Sequence, residues 1–183
     1  MGISKSALSA TLIAPVVLFG IVGCAQQPAE KPALENSESS VLPIEMTEQE
    51  ALEAAQSAYA EYLAMSDLIA QEGGVNPERM EPYVSPELLK DEITGFQVIE
   101  NNAWHAEGNS FFDNFAMQVK SGSKLTTYLC IDHSRIRLFD KTSTDVTSPS
   151  RIDRYPLQVT FALEDGTNFK IESSETWVGE NFC

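Results

Sequence analysis

The sequence predicts an α+β domain in which N-terminal helices pack on a curved antiparallel sheet. Three observations carry this expectation: a capped amphipathic run from Thr47 to Gly73, two later helix starts marked by proline, and a change beyond Gly95 from helical to alternating periodicity.

The first helix is expected to begin at Thr47. Thr47 and Glu50 stand at capping-box spacing, so their side chains can satisfy two amide groups that a helix start leaves without partners. Leu52, Ala55, Tyr59, Tyr62 and Ile69 recur at helical intervals as one apolar stripe, which Gly73 and Gly74 terminate. Such a stripe of aromatic and small residues reads as core packing. Asn76-Pro77 and Ser85-Pro86 each offer an N-cap followed by proline, whose missing amide proton costs nothing at the first helical position. Two short helices are predicted there.

The strands follow. Phe111, Phe115, Met117 and Val119 alternate onto one face, and Leu125, Leu129 and Ile131 onto one face of the next strand. Placing both sets on the same side of a hairpin requires an odd loop, for which Ser121-Gly122-Ser123 is the candidate. In the last hairpin, Leu157, Val159, Phe161 and Leu163 must share a side with Phe169 and Ile171. A two-residue Asp165-Gly166 turn would send these sets to opposite faces. A three-residue Glu164–Gly166 loop keeps them together, pairs Phe161 with Phe169, and puts Gly166 at a left-handed position.

Upstream of the domain, Lys5 precedes a segment, Ala7 to Phe19, with ten apolar residues in thirteen. This is a signal-peptide pattern. The 17 residues from Ala7 to Gly23 contain Pro15 and fall short of the ~20 that a spanning helix needs. Ile21-Val22-Gly23-Cys24 then resembles the lipobox of bacterial lipoproteins, with Ile21 where leucine is usual. The resemblance implies that Cys24 receives a diacylglycerol thioether and becomes the mature N-terminus after cleavage behind Gly23. Two acyl chains give stable anchoring where one does not. The expected organisation is a signal peptide over 1–23, a tether over 24–45 and a single domain over 46–183. The tether segment is rich in Pro, Ser, Glu and Gln and has no apolar period. Removing residues 1–23 takes away one basic residue and leaves 11 Lys and Arg against 27 Asp and Glu, a net charge of −16. So acidic a surface repels nucleic-acid phosphates and anionic headgroups. The expected location is the extracytoplasmic side of the cell membrane, with the lipid as the contact to the bilayer.

The order "AYAEYLAMSDLIAQEGGVNPERMEPYVSPELL", "YLCIDHS" and "WVGENFC" is similar to small actinobacterial lipoproteins of unassigned activity, and the helix-then-meander arrangement resembles the nuclear transport factor 2-like cone. Members of that fold use Asp or His side chains lining the hollow as acid or base. That resemblance makes Asp132, His133 and His105 the residues to weigh. On an extended strand Asp132 and His133 point to opposite faces, so His133 alone should face the hollow, as a core histidine with its hydrogen bonds satisfied. His105, in "NNAWHAEGN", is expected in a solvated loop. No catalytic residue is assigned. The sequence carries no H-E-x-x-H, C-x-x-C, G-x-S-x-G or Gly-rich phosphate loop, and neither a metal site nor a cofactor is expected. "DKTSTD", Asp140 to Asp145, lacks the glycine and terminal glutamate of a calcium loop and reads as a strand connection. Arg135 and Arg137 are expected on one strand face, and with Arg151 and Arg154 they form a basic cluster that either pairs with nearby carboxylates or receives an anion. The function expected from these readings is a non-catalytic binding or interaction module taking a small apolar ligand or an envelope protein. A cone-fold isomerase or dehydratase is the alternative, and it requires an ionisable side chain in an open pocket.

Two cysteines remain, Cys130 and Cys183. In an oxidising compartment this even pair has one intramolecular partnership. Cys130 shares parity with Tyr128 and Asp132, opposite Leu129 and Ile131. The C-terminal "WVGENFC" must therefore cross the sheet's outer face, with Trp177 or Phe182 covering it.

The anchoring expectation is tested with Cys24→Ala, which removes the acceptor thiol and leaves the hydrophobic segment intact. Mass spectrometry of protein from its native membrane should show the wild-type chain acylated and beginning at residue 24, and the variant unacylated and uncleaved. An unmodified Cys24 in a wild-type chain that retains residues 1–23 would contradict it.

Overall fold

The structure is a computed structural model, and it describes residues 46–166 and 168–183. The signal-peptide, lipidation and tether expectations fall on residues 1–45, outside the described residues, and with them the boundaries at 23 and 45. The element order is α1 (Glu48–Gln71), a 3-10 helix (Pro77–Met80), α2 (Pro86–Asn101), β1 (His105–Glu107), β2 (Phe111–Ser121), β3 (Lys124–Asp132), β4 (Arg137–Phe139), β5 (Arg154–Glu164) and β6 (Asn168–Thr176). Both helices pack on a four-stranded antiparallel sheet of order β2-β3-β5-β6, and β1 pairs with β4 in a separate two-stranded ribbon. The predicted α+β class holds, and the described sheet is open, not a closed barrel.

Thr47 caps α1 as expected: its Oγ1 accepts from the Glu50 amide at 3.2 Å, and Glu50 Oε2 accepts from the Thr47 amide at 2.9 Å. The stripe is centred one residue away from the expected one. Ala51, Ala55, Tyr59, Leu63 and Ile69 are buried, whereas Leu52 and Tyr62 lie at its margins. At the far end Gly74 takes φ 80°, and a Cβ there would collide with the Phe96 carbonyl of α2. Asn76 makes no side-chain cap; it sits at φ 53°, and the segment it opens is a four-residue 3-10 helix. Ser85 does cap α2, accepting from the Leu88 amide at 3.2 Å. That helix runs six residues past Gly95, where the sequence reading ended helical periodicity. Gly95 lies in the middle of α2 with open space around it, so the residue costs some helix propensity but interrupts nothing.

The inner sheet face carries Leu125, Thr127, Leu129 and Ile131 of β3, Leu157, Val159 and Phe161 of β5, and Phe169 and Ile171 of β6, all buried against α1 and α2. β2 departs from simple alternation. Register shifts between Asp113 and Ala116 and between Met117 and Val119 insert one extra residue each, and Asn114 adopts φ 52° at the first. Phe112, Phe115 and Met117 therefore pack on the core, while Phe111 and Val119 are 44% and 51% exposed. The β2–β3 loop is a two-residue turn, Gly122-Ser123, with Ser121 opposite Lys124. An odd loop was needed only because the bulges were not visible; the bulge beside Val119 supplies the missing residue.

In the last hairpin Glu164 pairs with Asn168, and Asp165 and Gly166 in the turn between them are both at positive φ. Phe161 consequently faces Ile171 and Leu163 faces Phe169. The expected register is off by two. Side-chain alternation fixes a register only modulo two, so the apolar pattern is equally satisfied by either pairing, and the turn decides between them. A further bulge at Glu172 changes the parity of the rest of β6.

On the outer face the sulfurs of Cys130 and Cys183 lie 2.08 Å apart, with their Cα atoms at 5.6 Å, a disulfide. The C-terminal tail crosses this face as expected, and both candidate aromatics cover it: the Trp177 and Phe182 rings meet Tyr128 edge-on at 5.0 and 6.0 Å. Cys130 is fully buried beneath them. Arg154 ties the last residue down, its Nε donating to the Cys183 carbonyl at 3.2 Å.

A bridge closing 53 residues of chain should stabilise the domain by about 4 kcal/mol through loss of unfolded-state freedom. Cys183→Ser is expected to lower stability by that order, and the unreduced, denatured protein should show no titratable thiol on residues 130 and 183. Two free thiols per chain would contradict the bridge.

Candidate functional site

At the end of the sheet opposite the β5–β6 turn, the inner face opens into a pocket of about 290 Å³ between α1, β3, β5 and β6. Its apolar floor is Leu63, Ile131 and Leu157, and its polar lining includes Tyr59, Tyr62, His133, Tyr155 and Ser174. The Glu172 bulge decides part of this lining. Uninterrupted alternation from Phe169 and Ile171 would bring Ser173 and Glu175 to the inner face. With the bulge, Ser174 and Thr176 line the pocket and Glu175 is turned away from it.

His133 follows the last residue of β3 and faces inward, while Asp132 faces outward, as strand parity predicts. Its ring is anchored. Nδ1 lies 2.9 Å from the Ser110 hydroxyl, and that hydroxyl lies 2.7 Å from Asp67 Oδ1, whose other oxygen accepts the Ser110 amide at 2.7 Å. One turn farther along α1, Gln71 Nε2 donates to the Gly108 carbonyl at 2.8 Å and to Asn109 Oδ1 at 3.2 Å. The i, i+4 pair Asp67 and Gln71 thus clamps the segment that leads into β2. Gly108, at φ 94°, allows that segment to pass against the Arg135 carbonyl, where a Cβ would clash.

Donor and acceptor chemistry assigns the protons along this chain. A carboxylate only accepts, so the single hydroxyl proton of Ser110 goes to Asp67, and the Ser110 oxygen receives Nδ1–H of His133. His133 is then the Nδ1–H tautomer, with Nε2 a bare acceptor. Burial pushes the His133 pKa below the ordinary imidazole value, outweighing the opposing pull of Asp67.

The three tyrosines differ in role. Tyr62 donates its proton to Glu92 Oε1 at 2.7 Å, and burial raises the Glu92 carboxyl above the usual range despite that bond. The hydroxyls of Tyr59 and Tyr155 have no hydrogen-bond partner among the described residues, and burial pushes both phenols up so that they stay protonated donors at neutral pH.

His105 lies in β1 opposite Phe139, in a short strand where a loop was expected, and its ring is half-exposed. Arg135 is in a turn, its guanidinium 4.4 Å above the Phe111 ring, so it does not share a strand face with Arg137. Arg151 binds Asp153 and the carbonyls of His133 and Ile136, and Arg154 binds Asp113 and Asp132. Local ion pairing thus uses Arg151 and Arg154, whereas Arg137 donates to the Ser134 and Ile136 carbonyls. Asp140 Oδ1 accepts from the Thr142 and Thr144 amides at 2.8 and 2.9 Å, which winds "DKTSTD" into a turn. Among the described residues no group of three His, Cys, Asp or Glu side chains is placed to hold a metal, and no helix is long and apolar enough to cross a membrane. A larger groove of about 600 Å³ between α1 and the β5–β6 hairpin is rimmed by Glu61, Glu164 and Asp165, all at the surface.

The sequence singled out His133 but neither Asp67 nor Ser110. Asp67 is one of many carboxylates on a helix, and nothing local marks a pairing across 43 residues.

No family model and no curated protein matches the chain. Among solved structures, the intermembrane space region of the chloroplast protein ARC6 superposes with a TM-score of 0.54 at 10% identity, over 70% of this chain and 97% of that one. Aln2 from a Streptomyces species superposes at 0.46 with 10% identity, over 72% and 92%. An iota-carbonic anhydrase from a cyanobacterium superposes at 0.39 with 11% identity, over 76% and 96%. At such identity the ARC6 likeness speaks for the fold alone.

Because the native state holds His133 neutral, the unfolded chain binds more protons than the folded one between the lowered pKa and the ordinary 6.5. Stability should therefore be retained above pH 6.5 and fall as pH drops through that window. His133→Gln is expected to lower stability at pH 7 by about 1 kcal/mol and to flatten the loss as pH falls below 6.5. Denaturant titrations of both proteins across that range check this, and parallel curves would contradict it.

Proposed function

We propose that the chain is a lipoprotein held to the extracytoplasmic face of the cell membrane through Cys24, and that its nuclear transport factor 2-like cone is a non-catalytic binding module for a small molecule. The observation that supports binding is the Tyr59 hydroxyl: the residue is almost wholly buried and lines a pocket of about 290 Å³, and its hydroxyl has no partner among the described residues yet is not sealed off from open space. An inward polar group without a protein partner is costly unless water or a ligand satisfies it. The polar lining favours a polar ligand over the small apolar ligand or envelope protein expected from the sequence. The volume is near the lower end of small-molecule sites, which run from roughly 300 Å³ upward.

A second reading, an enzyme that uses His133 as a base, is favoured by one observation: an imidazole held in a single orientation at the pocket wall. Substrate turnover would distinguish it from the first.

Ser174→Leu fills the pocket without breaking a described hydrogen bond. Native mass spectrometry of the full-length protein from its own membrane should show a retained small molecule in the wild type and none in Ser174→Leu. Equal retention, or none in either, would overturn the binding reading. A wild-type chain recovered from its own membrane with an unmodified Cys24 would overturn the anchoring.

A further inference from the structure

We infer that a second cleft, between α1 and α2, binds a small organic cation, a primary amine carried on an apolar body, with Glu92 as the carboxylate that receives it. This cleft is separate from the pocket beneath α1, and the inference does not rest on the reading of that pocket.

The position of Glu92 is the first observation. Leu88, Glu92, Phe96 and Ile99 recur at helical spacing along α2 and form one stripe, whose apolar members pack on the core. A carboxylate in the middle of such a stripe gives up hydration that something must replace. Tyr62 replaces part of it by donating to Oε1 at 2.7 Å. Oε2 has no hydrogen-bond partner among the described residues, yet no buried side-chain oxygen there is left unsatisfied, so this atom reaches open space. The space that Glu92 lines is a cleft of about 380 Å³.

The second observation is the rest of the lining. Ser66 of α1 and Ser174 of β6 border the cleft, and neither hydroxyl has a partner among the described residues. Both also border the pocket beneath α1, so they stand where the two spaces meet. Asp91 lies exposed at the rim, and no basic side chain of the described residues lines the cleft; Lys90, next along the helix, is exposed and takes no part in it. Burial, joined by the Asp91 charge, pushes the Glu92 carboxyl above the usual range against the pull of the Tyr62 bond, and a cation beside Oε2 would relieve both effects. An ammonium carries donors and no acceptor, and it meets here a carboxylate oxygen and two hydroxyls able to accept. An anion would meet two carboxylates and no cation. A metal ion such as calcium takes about six to eight oxygens, and no group of three acidic, His or Cys side chains among the described residues is placed to hold one. Leu88, Phe96 and Ile99 supply the apolar wall against which the body of an amine can lie.

Gly95 makes the site testable without risk to the fold. It lines the cleft from the middle of α2, and a Cβ there would meet nothing within 4 Å, so a larger residue fills the cleft and raises helix propensity. Backbone-amide NMR titrations of the full-length protein in neutral detergent, at about 0.15 M salt, compare phenethylamine with 2-phenylethanol, which has the same apolar body and no charge. Phenethylamine should shift the Glu92 and Gly95 amides saturably and bind at least about tenfold more tightly than the alcohol, the factor that a charge-assisted hydrogen bond supplies. Glu92→Gln keeps an acceptor for Tyr62 and should abolish that advantage, and Gly95→Leu should bind neither compound. Glu61→Gln removes the same charge from the surface groove beside the β5–β6 hairpin and should leave the amine affinity unchanged. Equal binding of amine and alcohol, an equal loss in Glu61→Gln and Glu92→Gln, wild-type affinity in Gly95→Leu, or no saturable shift with phenethylamine would overturn the site.

Discussion

The carboxylate of Asp67 holds Ser110 by both its amide and its hydroxyl, at 2.7 Å each, and the geometry of the pocket depends on that grip. Hydrogen bonds to a charged acceptor contribute more than neutral ones, roughly 1.5–3 kcal/mol each. Here they join three parts of the chain that the sequence keeps far apart. The helix supplies a rigid platform because Thr47 and Glu50 cap its start and its apolar stripe is seated on the sheet. The platform fixes the segment before β2, and Ser110 passes that position on to the ring that ends β3. Without it, His133 would have a choice of rotamer and tautomer. With it, the imidazole presents one face and one lone pair.

Irregularities in the sheet complete the site. The bulge at Asn114 lets Phe112 and Phe115 both pack inward, so that Phe112 meets Tyr59 edge-on at 4.9 Å and walls the core behind the pocket. The bulge at Glu172 keeps Glu175 out of the pocket and brings Ser174 in. Each adds a single residue to one strand and changes which side chains face inward from there on. On the opposite face the Cys130–Cys183 bridge holds the tail aromatics over Tyr128, so the sheet between tail and helices is covered on both sides near the site.

What the sequence made legible was local. The helix start at Thr47, the cap at Ser85, the two faces of β3 and the outward direction of Cys130 each follow from spacing within a few residues, and each agrees with the structure. The inward aim of His133 was legible for the same reason. Alternation failed where a bulge resets it, because a bulge needs no marker residue: Asn114 takes its positive φ unannounced, and Glu172 is an ordinary strand residue. The α1 stripe was misplaced toward Leu52 because the alanine at 51 carries little hydrophobic signal yet lies fully buried where the helix approaches the sheet. Asp67 and Ser110 were illegible because their meaning is a tertiary contact between two common residue types.

Nitrogen NMR of the His133 imidazole in the folded protein at neutral pH tests this arrangement most directly. The Asp67–Ser110–His133 chain predicts a proton on Nδ1 and a bare Nε2, with the pattern lost when Ser110 becomes alanine. A proton on Nε2 with Nδ1 bare would contradict it, since Ser110 would then be donating to the ring and Asp67 would not be receiving its proton.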